Sequence, residues 1–197
     1  LSGLNFFDND PYLSRNGNYE QIKGPGTVIS MDATIDFLTR HHNGDQPMFA
    51  VTWFPSPHDP QEELPDLPQA SKLYNDQNTK KPGYFREITL LDQQIGRLQQ
   101  ALTDLGIRDN TFFLYCSDNG GLPRLGATGG RKHKGHVYEG GLRVPAILQW
   151  PKRISKPAIT NVPCNTVDIY PTLLEIAGVK VKKQPPLDGI SLVSLID

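Results

Sequence analysis

Three apolar runs without a single charged residue constrain the fold of this chain more than any other feature. They are MFAVTWF at 48–54, TFFLYC at 111–116 and VPAILQW at 144–150. Each is rich in β-branched and aromatic residues and is followed by proline or by a polar turn, which is typical of strands covered on both faces. The sequence therefore predicts three buried strands, connected by long segments of different character.

The segments around these runs predict helices. Between 85 and 105, apolar residues recur at spacings of three and four, and Gly106 follows where a helix end favours glycine. A similar spacing covers 28–38, and 167–179 predicts a short helix with Asp168 as its candidate cap. Strands that alternate with helices predict an α/β fold, with a largely parallel central sheet and flanking helices.

The chain is predicted to form a single fragment over residues 1–197. Residues 1–27, rich in Asn, Gly, Asp and Pro, are expected to be irregular, 28–178 to form the α/β core portion, and 179–197 to form a C-terminal tail. The sequence begins with Leu1 rather than Met, so we expect a piece of a longer protein.

Composition excludes several classes of function. The chain has 20 Lys and Arg against 21 Asp and Glu, a net charge of −1, which argues against a nucleic-acid partner. No apolar run approaches the roughly 20 residues of a membrane span. Cys116 and Cys164 belong to no C-x-x-C pair, so they define neither a disulfide framework nor a redox compartment.

Polar side chains follow two of the predicted strands. SDNGG comes directly after TFFLYC, and SPHDP follows MFAVTWF. Ligands of open α/β sheets bind at the carboxyl ends of the strands, which makes Asp118, Asn119 and His58 candidates for a site. Neighbouring carboxylate and amide oxygens suit calcium or magnesium rather than zinc. The alternatives are ordinary turn chemistry for Asp118 and Asn119 and a structural or surface role for His58.

A glycine-rich basic segment precedes the third strand. Residues 119–141 hold eight glycines and are not expected to form a packed element. The segment is either a solvated basic loop or an anion-binding loop in which glycines let the backbone approach an oxyanion. Glu139 and Arg143 are expected to pair and lock its end. The cationic and imidazole residues of the segment are Arg131, Lys132, His133, Lys134 and His136.

In this order, SPHDP, FFLYCSDNGG and RKHKGHVYEGGLRVPAILQWP resemble the type-I sulfatase family of the alkaline-phosphatase superfamily. The resemblance implies a partial alkaline-phosphatase-like fold and hydrolysis of sulfate esters. It also implies a formylglycine nucleophile and a divalent cation, calcium or alternatively magnesium. Asp118 and Asn119 resemble metal ligands of the family, and His58 resembles its histidine that contacts sulfate and the leaving-group oxygen. Lys134, four residues before Tyr138, resembles its sulfate-binding lysine.

The chain departs from the family at the nucleophile. Neither Cys116 nor Cys164 is followed by the x-Pro-x-Arg of the family signature, Ser155 begins SKPAI with Ile159 where Arg is required, and the Asp-Asp metal pair is absent. We therefore expect the middle and C-terminal portion of a sulfatase, inactive alone, with formylglycine only in a missing N-terminal part. That part, or a second copy, is the expected protein partner.

Several alternatives stay open at this stage. The substrate is a sulfated small molecule or a sulfated glycan, because substrate contacts lie in variable loops. Rival functions are a phosphate or phosphonate ester hydrolase of the same superfamily and a non-catalytic calcium-stabilised module. The resemblance is compatible with periplasmic, secreted and lysosomal proteins, and it selects none of them.

Overall fold

The computed structural model describes residues 10–58, 82–123 and 129–196. The chain divides into two compact units, Leu1–Arg108 and Asp109–Asp197. The expectation of one continuous catalytic-domain fragment stays a prediction. None of the helices in the described ranges has the length and apolar character that a membrane crossing requires.

The first unit begins with a β-hairpin. Strand β1, Tyr12–Arg15, pairs antiparallel with β2, Asn18–Gln21. The two residues between them, Asn16 and Gly17, have φ of 53° and 89°. Irregular structure was therefore the wrong prediction for this part of 1–27, because Asn-Gly supplies the two left-handed residues that a tight hairpin turn requires.

Two helices form the core of the first unit. Helix α1 spans Gly26–His41 and helix α2 spans Pro82–Asp104, which confirms both periodicity predictions. The helices pack against each other, and Arg97 of α2 forms an ion pair of 2.7 Å with Asp32 of α1. Gly106, with φ of 70°, follows α2 as expected. The buried apolar side chains of the two helices are Ile29, Met31, Leu38, Leu90, Leu91, Leu98 and Leu102.

The run MFAVTWF does not form the predicted buried strand. Residues 48–54 belong to no strand, and the side chains of Phe49, Val51 and Trp53 are 67%, 59% and 81% exposed. The Thr52 hydroxyl contacts α1, where it lies 2.7 Å from that of Thr34. A strand requires a second backbone to complete its ladder. In the described part of the first unit, no backbone pairs with this segment.

The second unit contains the other two predicted strands, but neither is buried as predicted, since the strand within TFFLYC is half-buried and Ile147, in the strand within VPAILQW, is 60% exposed. Strand β3, Phe113–Cys116, pairs with β4, Ala146–Gln149, so that Phe113 faces Gln149 and Cys116 faces Ala146. The pair is antiparallel, as is the hairpin of the first unit, and the described residues contain no parallel pair. The ring of Phe112 meets Trp150 edge to face, which extends the contact beyond the ladder.

Short helices complete the second unit. Helix α3 spans Glu139–Leu142 and helix α4 spans Ile169–Ala177, preceded by a 3₁₀ turn at Thr166–Asp168 and ended by Gly178 with φ of 63°. Further 3₁₀ turns lie at Arg108–Asn110, on the boundary of the units, and at Val193–Leu195.

Asp168 precedes α4 and anchors the C-terminal tail, but its side chain makes no capping hydrogen bond to that helix. Its carboxylate accepts hydrogen bonds from the backbone N–H of Asn165 at 2.7 Å and of Ile190 at 2.9 Å. The hydrogen bond from the Ile190 N–H, followed by that from the Asn165 N–H, has the largest effect on the pKa of Asp168. Both bonds stabilise the charged form and hold the pKa below its ordinary value. Asp168 lies at the start of the helix as predicted, but the predicted side-chain cap does not form, and the bond from Ile190, 22 residues away, was not predicted.

Candidate functional site

Strand β3 is followed, at its carboxyl end, by a turn that contains Ser117, Asp118 and Asn119. The Ser117 N–H donates to the carbonyl of Pro145 at 3.3 Å, and its hydroxyl donates to the carbonyl of Asn119 at 3.0 Å. The Asn119 amide nitrogen donates to the Gly120 carbonyl at 3.3 Å, which leaves its Oδ1 as an acceptor. Asp118 is exposed, and no other described residue pairs with its carboxylate. The carboxylate of Asp118 and the Oδ1 atom of Asn119, adjacent in the sequence, are the kind of oxygen ligand that suits a hard cation.

The glycine-rich segment packs against this turn. Three backbone N–H groups donate to backbone carbonyls across the loops. Gly120 donates to the carbonyl of Gly141 at 2.9 Å, Lys134 to that of Gly121 at 3.0 Å, and Gly140 to that of Arg131 at 2.8 Å. We call residues 117–123, 129–138 and α3 together the loop cluster. The expectation that 119–141 forms no packed element was therefore wrong for its described residues, because backbone hydrogen bonds between loops replace regular secondary structure.

Glycine is a steric requirement at several positions of the loop cluster. A Cβ atom on Gly120 would overlap the carbonyl of Gly140, and one on Gly140 would overlap the carbonyl of Lys132. A Cβ atom on Gly141 would likewise overlap the carbonyl of His136. Gly120 of SDNGG and the paired glycines of YEGG therefore let backbones approach one another, whereas one of the two interpretations of the sequence was that the glycines let the backbone approach an oxyanion.

Two groups of side chains in the loop cluster have fixed positions. The Arg131 guanidinium lies 4.0 Å above the ring of Tyr138. The Nδ1 atoms of His133 and His136 lie 2.9 Å from the carbonyl of Lys134 and 3.2 Å from that of His133, and the two rings meet edge to face. The imidazoles thus hold the backbone on both sides of Lys134, whose own side chain is half-buried.

Glu139 and Arg143 do not lock the loop end in the predicted way. Their side chains are exposed and form no ion pair within the part of the chain that the structure describes. Instead, the Arg143 N–H donates to the Glu139 carbonyl at 2.7 Å and closes the single turn of α3. The closure is made by the backbone, because four residues are enough for one helical turn.

His58 belongs to the first unit and is exposed at the end of its loop. Its N–H donates to the carbonyl of Pro55 at 3.0 Å. The preceding Ser56 hydroxyl lies 2.6 Å from the hydroxyl of Thr27 and donates to the carboxylate of Glu87. The loop that carries His58 is therefore fastened to the start of α1 and to α2. Asp59, its neighbour in the sequence, lies outside the described residues.

The roles of Thr27 and Glu87 as supports of the His58 loop were not predicted from the sequence. Both are buried, with 1% and 7% exposure. The position of Glu87 in the sequence indicates that it is buried, since it lies four residues before Leu91 and seven before Gln94, on the buried face of α2. A carboxylate on such a face requires a hydrogen-bond donor from another segment.

The structure thus brings three of the four predicted site residues into one loop cluster, namely Asp118, Asn119 and Lys134, whereas His58 lies on the first unit. In the described ranges, no group of three or more His, Cys, Asp or Glu side chains is arranged to hold a metal ion. The functional roles of the four residues stay predictions.

Comparison with known proteins identifies the family. The family model described as Sulfatase matches residues 2–179. The chain therefore belongs to the sulfatase family, a family of sulfuric ester hydrolases.

Individual relatives agree with this assignment. A sulfatase of Formosa agariphila is 35% identical over 84% of this chain, and the uncharacterized sulfatase YdeN of Escherichia coli is 30% identical over 94%. The matches cover 32% and 33% of those proteins, so the chain spans about a third of the length of the curated relatives it matches.

The solved structures confirm the α/β, alkaline-phosphatase-like fold class. The crystal structure of Ps i-CgsB superimposes with a TM-score of 0.84 at 28% identity, and the match covers 94% of this chain and 41% of that one.

Proposed function

We propose that this chain supplies part of the active site of an enzyme that hydrolyses sulfate esters, with a divalent cation and with a formylglycine nucleophile that this chain does not contain. The observation that carries the proposal is the backbone hydrogen bond from Lys134 to Gly121, 3.0 Å long. This bond ties a lysine to the turn that bears Asp118 and Asn119, so cation ligands and an anion-binding side chain share one loop cluster.

Lys134 would bind the sulfuryl group. Its ammonium group offsets the negative charge that develops on the sulfuryl oxygens when the ester bond breaks. Its backbone is fixed on both sides, by Gly121 and by the Nδ1 atom of His133. A fixed backbone lowers the entropy that the side chain loses on binding an anion.

Asp118 and Asn119 would hold the cation, calcium or alternatively magnesium. The bound cation would supply Lewis-acid stabilisation of the sulfuryl oxygens, and formylglycine would supply the nucleophile. Calcium takes about six to eight oxygen ligands. Asp118 and Asn119 together provide too few, so we expect this chain by itself to bind calcium weakly or not at all.

His58 would donate a proton to the departing alcohol oxygen. The contacts of Ser56 with Thr27 and Glu87 support this role, because they fix the loop immediately before the imidazole. Replacement of His58 by Ala is expected to impair departure of poor leaving groups more than of good ones.

The proposed substrate is a sulfated small molecule or a sulfated glycan. Relatives named N-acetylgalactosamine-6-sulfatase, steryl-sulfatase and choline-sulfatase differ in the alcohol that their names imply. The proposed protein partner is the remaining portion of a sulfatase, or a second copy of this chain.

The test has a catalytic arm and a binding arm. The isolated chain should not hydrolyse 4-nitrophenyl sulfate, and turnover that Lys134→Ala abolishes would contradict the absence of a nucleophile. In calorimetric titrations with sodium sulfate, Lys134→Ala should weaken binding, whereas the exposed control Lys156→Ala should not. Tighter binding of phosphate than of sulfate would favour a phosphate ester hydrolase instead.

A further inference from the structure

We propose that Arg131 and Lys132 form a second anion-binding subsite beside Lys134, and that the substrate therefore carries at least two anionic groups, as a multiply sulfated glycan does. The inference rests on the proposed function for the first of these groups, the sulfate at Lys134. It goes further in selecting a polyanionic substrate over a simple monosulfate.

The Arg131 guanidinium is held in place before any ligand arrives. It lies 4.0 Å from the centroid of the Tyr138 ring, and the Arg131 carbonyl accepts the Gly140 N–H at 2.8 Å. The residue is nevertheless exposed, so its donors remain open to solvent. A guanidinium stacked on an aromatic ring loses little freedom on binding an oxyanion, and its planar donors can hold two sulfate oxygens.

Lys132 occupies a backbone conformation that a lysine adopts at a cost. Its φ is 67°, in the left-handed region that glycine enters without strain. The same segment uses glycine at Gly129, Gly130 and Gly135. A lysine at this position has an exposed ammonium group although its backbone is strained. Strained backbone of this kind is a feature of functional sites.

The charge of the segment that contains the two residues is one-sided along the sequence. The sequence from Asn119 to Tyr138 contains no Asp or Glu. Asp118 and Glu139, at its two ends, are exposed, and among the described residues neither forms an ion pair with Arg131 or Lys132. Several cationic side chains on a fixed backbone raise the local positive potential, which favours ligands with several negative charges.

The second unit offers a matched control. Lys152 and Arg153 are also an adjacent, exposed Lys and Arg, and the Arg153 guanidinium lies 4.9 Å above the ring of Trp150. This pair lies outside the loop cluster, in the turn after β4. It reproduces the charge and the aromatic contact of Arg131 and Lys132 without the neighbouring Lys134.

The experiment measures binding of the 197-residue chain to dextran sulfate, unsulfated dextran, double-stranded DNA and sodium sulfate by calorimetry at several ionic strengths, matched between variants. The double variant Arg131→Ala/Lys132→Ala should bind dextran sulfate about tenfold more weakly and with a shallower salt dependence. It should bind sodium sulfate as the wild type does. The control Lys152→Ala/Arg153→Ala should lose less than about twofold.

A single variant guards against misfolding of the double variant. Lys132→Gly relieves the left-handed backbone, so its melting temperature should equal or exceed that of the wild type. Its affinity for dextran sulfate should nevertheless fall about threefold. Unchanged affinity in this folded variant would overturn the role of Lys132.

Three further results would overturn the subsite. They are an equal loss in the control pair, binding of DNA as tight as that of dextran sulfate, and an unchanged affinity of the double variant. Failure of the proposed function gives a different result, because Lys134→Ala would then leave sodium sulfate binding unchanged while the double variant still lost affinity for dextran sulfate.

Discussion

The segment 48–58 and the loop cluster begin from the same sequence pattern and reach different structures. In each, an apolar run leads into a polar turn with candidate site residues. The run before the loop cluster forms β3 and pairs with β4. The run before His58 forms no strand and is unpaired within the described residues, and its Trp53 is 81% exposed.

This difference shows what secures each candidate site. The turn of Asp118 and Asn119 is held by backbone hydrogen bonds to Pro145 and Gly141, which require close approach at glycines. The loop of His58 is held by side-chain contacts of Ser56 with Thr27 and Glu87. The first arrangement should be sensitive to steric change and the second to loss of single hydrogen bonds.

The largest expected effect is steric. Gly140→Ala should destabilise the second unit by about 2–4 kcal/mol, because its Cβ would overlap the carbonyl of Lys132 and force the loop cluster apart. The control is Gly96→Ala in α2, where a Cβ meets no atom within 4 Å. That change should stabilise its helix by about 0.5–1 kcal/mol. Urea unfolding measures both, and a tolerated Gly140→Ala would contradict the steric account.

Loss of a hydrogen bond should have a smaller effect. Ser56→Ala removes the hydroxyl that contacts both Thr27 and Glu87, and should cost about 1–2 kcal/mol. The exposed Ser155→Ala should change stability by less than about 0.5 kcal/mol. Hydrogen exchange at the His58 amide should quicken in the first variant only. Equal exchange in both would mean that other contacts hold the loop.

Acidification should weaken the second unit through Asp168. The folded pKa of this carboxyl is lowered by the N–H groups of Ile190 and Asn165, so its stabilising contribution is complete above the unfolded pKa of about 3.9. The contribution is lost as the pH falls through the lowered folded pKa. Thermal melts between pH 6 and pH 2 should show a smaller acid-induced decrease for Asp168→Asn than for the wild type. Parallel melting curves would contradict this linkage.

The smallest effect on stability is expected at the exposed apolar face of 48–54. Trp53→Thr should change the free energy of unfolding by less than about 0.5 kcal/mol, because little of the side chain is buried. It should reduce self-association, since exposed apolar faces promote contacts between molecules. Light scattering at increasing concentration measures this. A wild-type chain that stays monomeric, with residues 48–54 protected from hydrogen exchange, would show that the face is covered.

The sequence by itself determined the features that depend on neighbours along the chain. The spacing of apolar residues determined α1 and α2, and Asn16-Gly17 contains the signal for the hairpin that a loop-like composition concealed. The order of SPHDP, SDNGG and YEGGLRVP identified the family that the later comparison confirmed. These signals are readable because helical periodicity, turns and motifs involve residues a few positions apart.

Only the tertiary structure decided which distant backbones and side chains meet. It left Phe49, Val51 and Trp53 exposed, paired β3 with β4, and brought the Gly140 N–H to Arg131. It also placed the Ser56 hydroxyl on Glu87, 31 residues away. A composition that favours a strand or a loop does not specify its partner, because the hydrogen bonds and steric fits that select the partner form only when remote segments pack together.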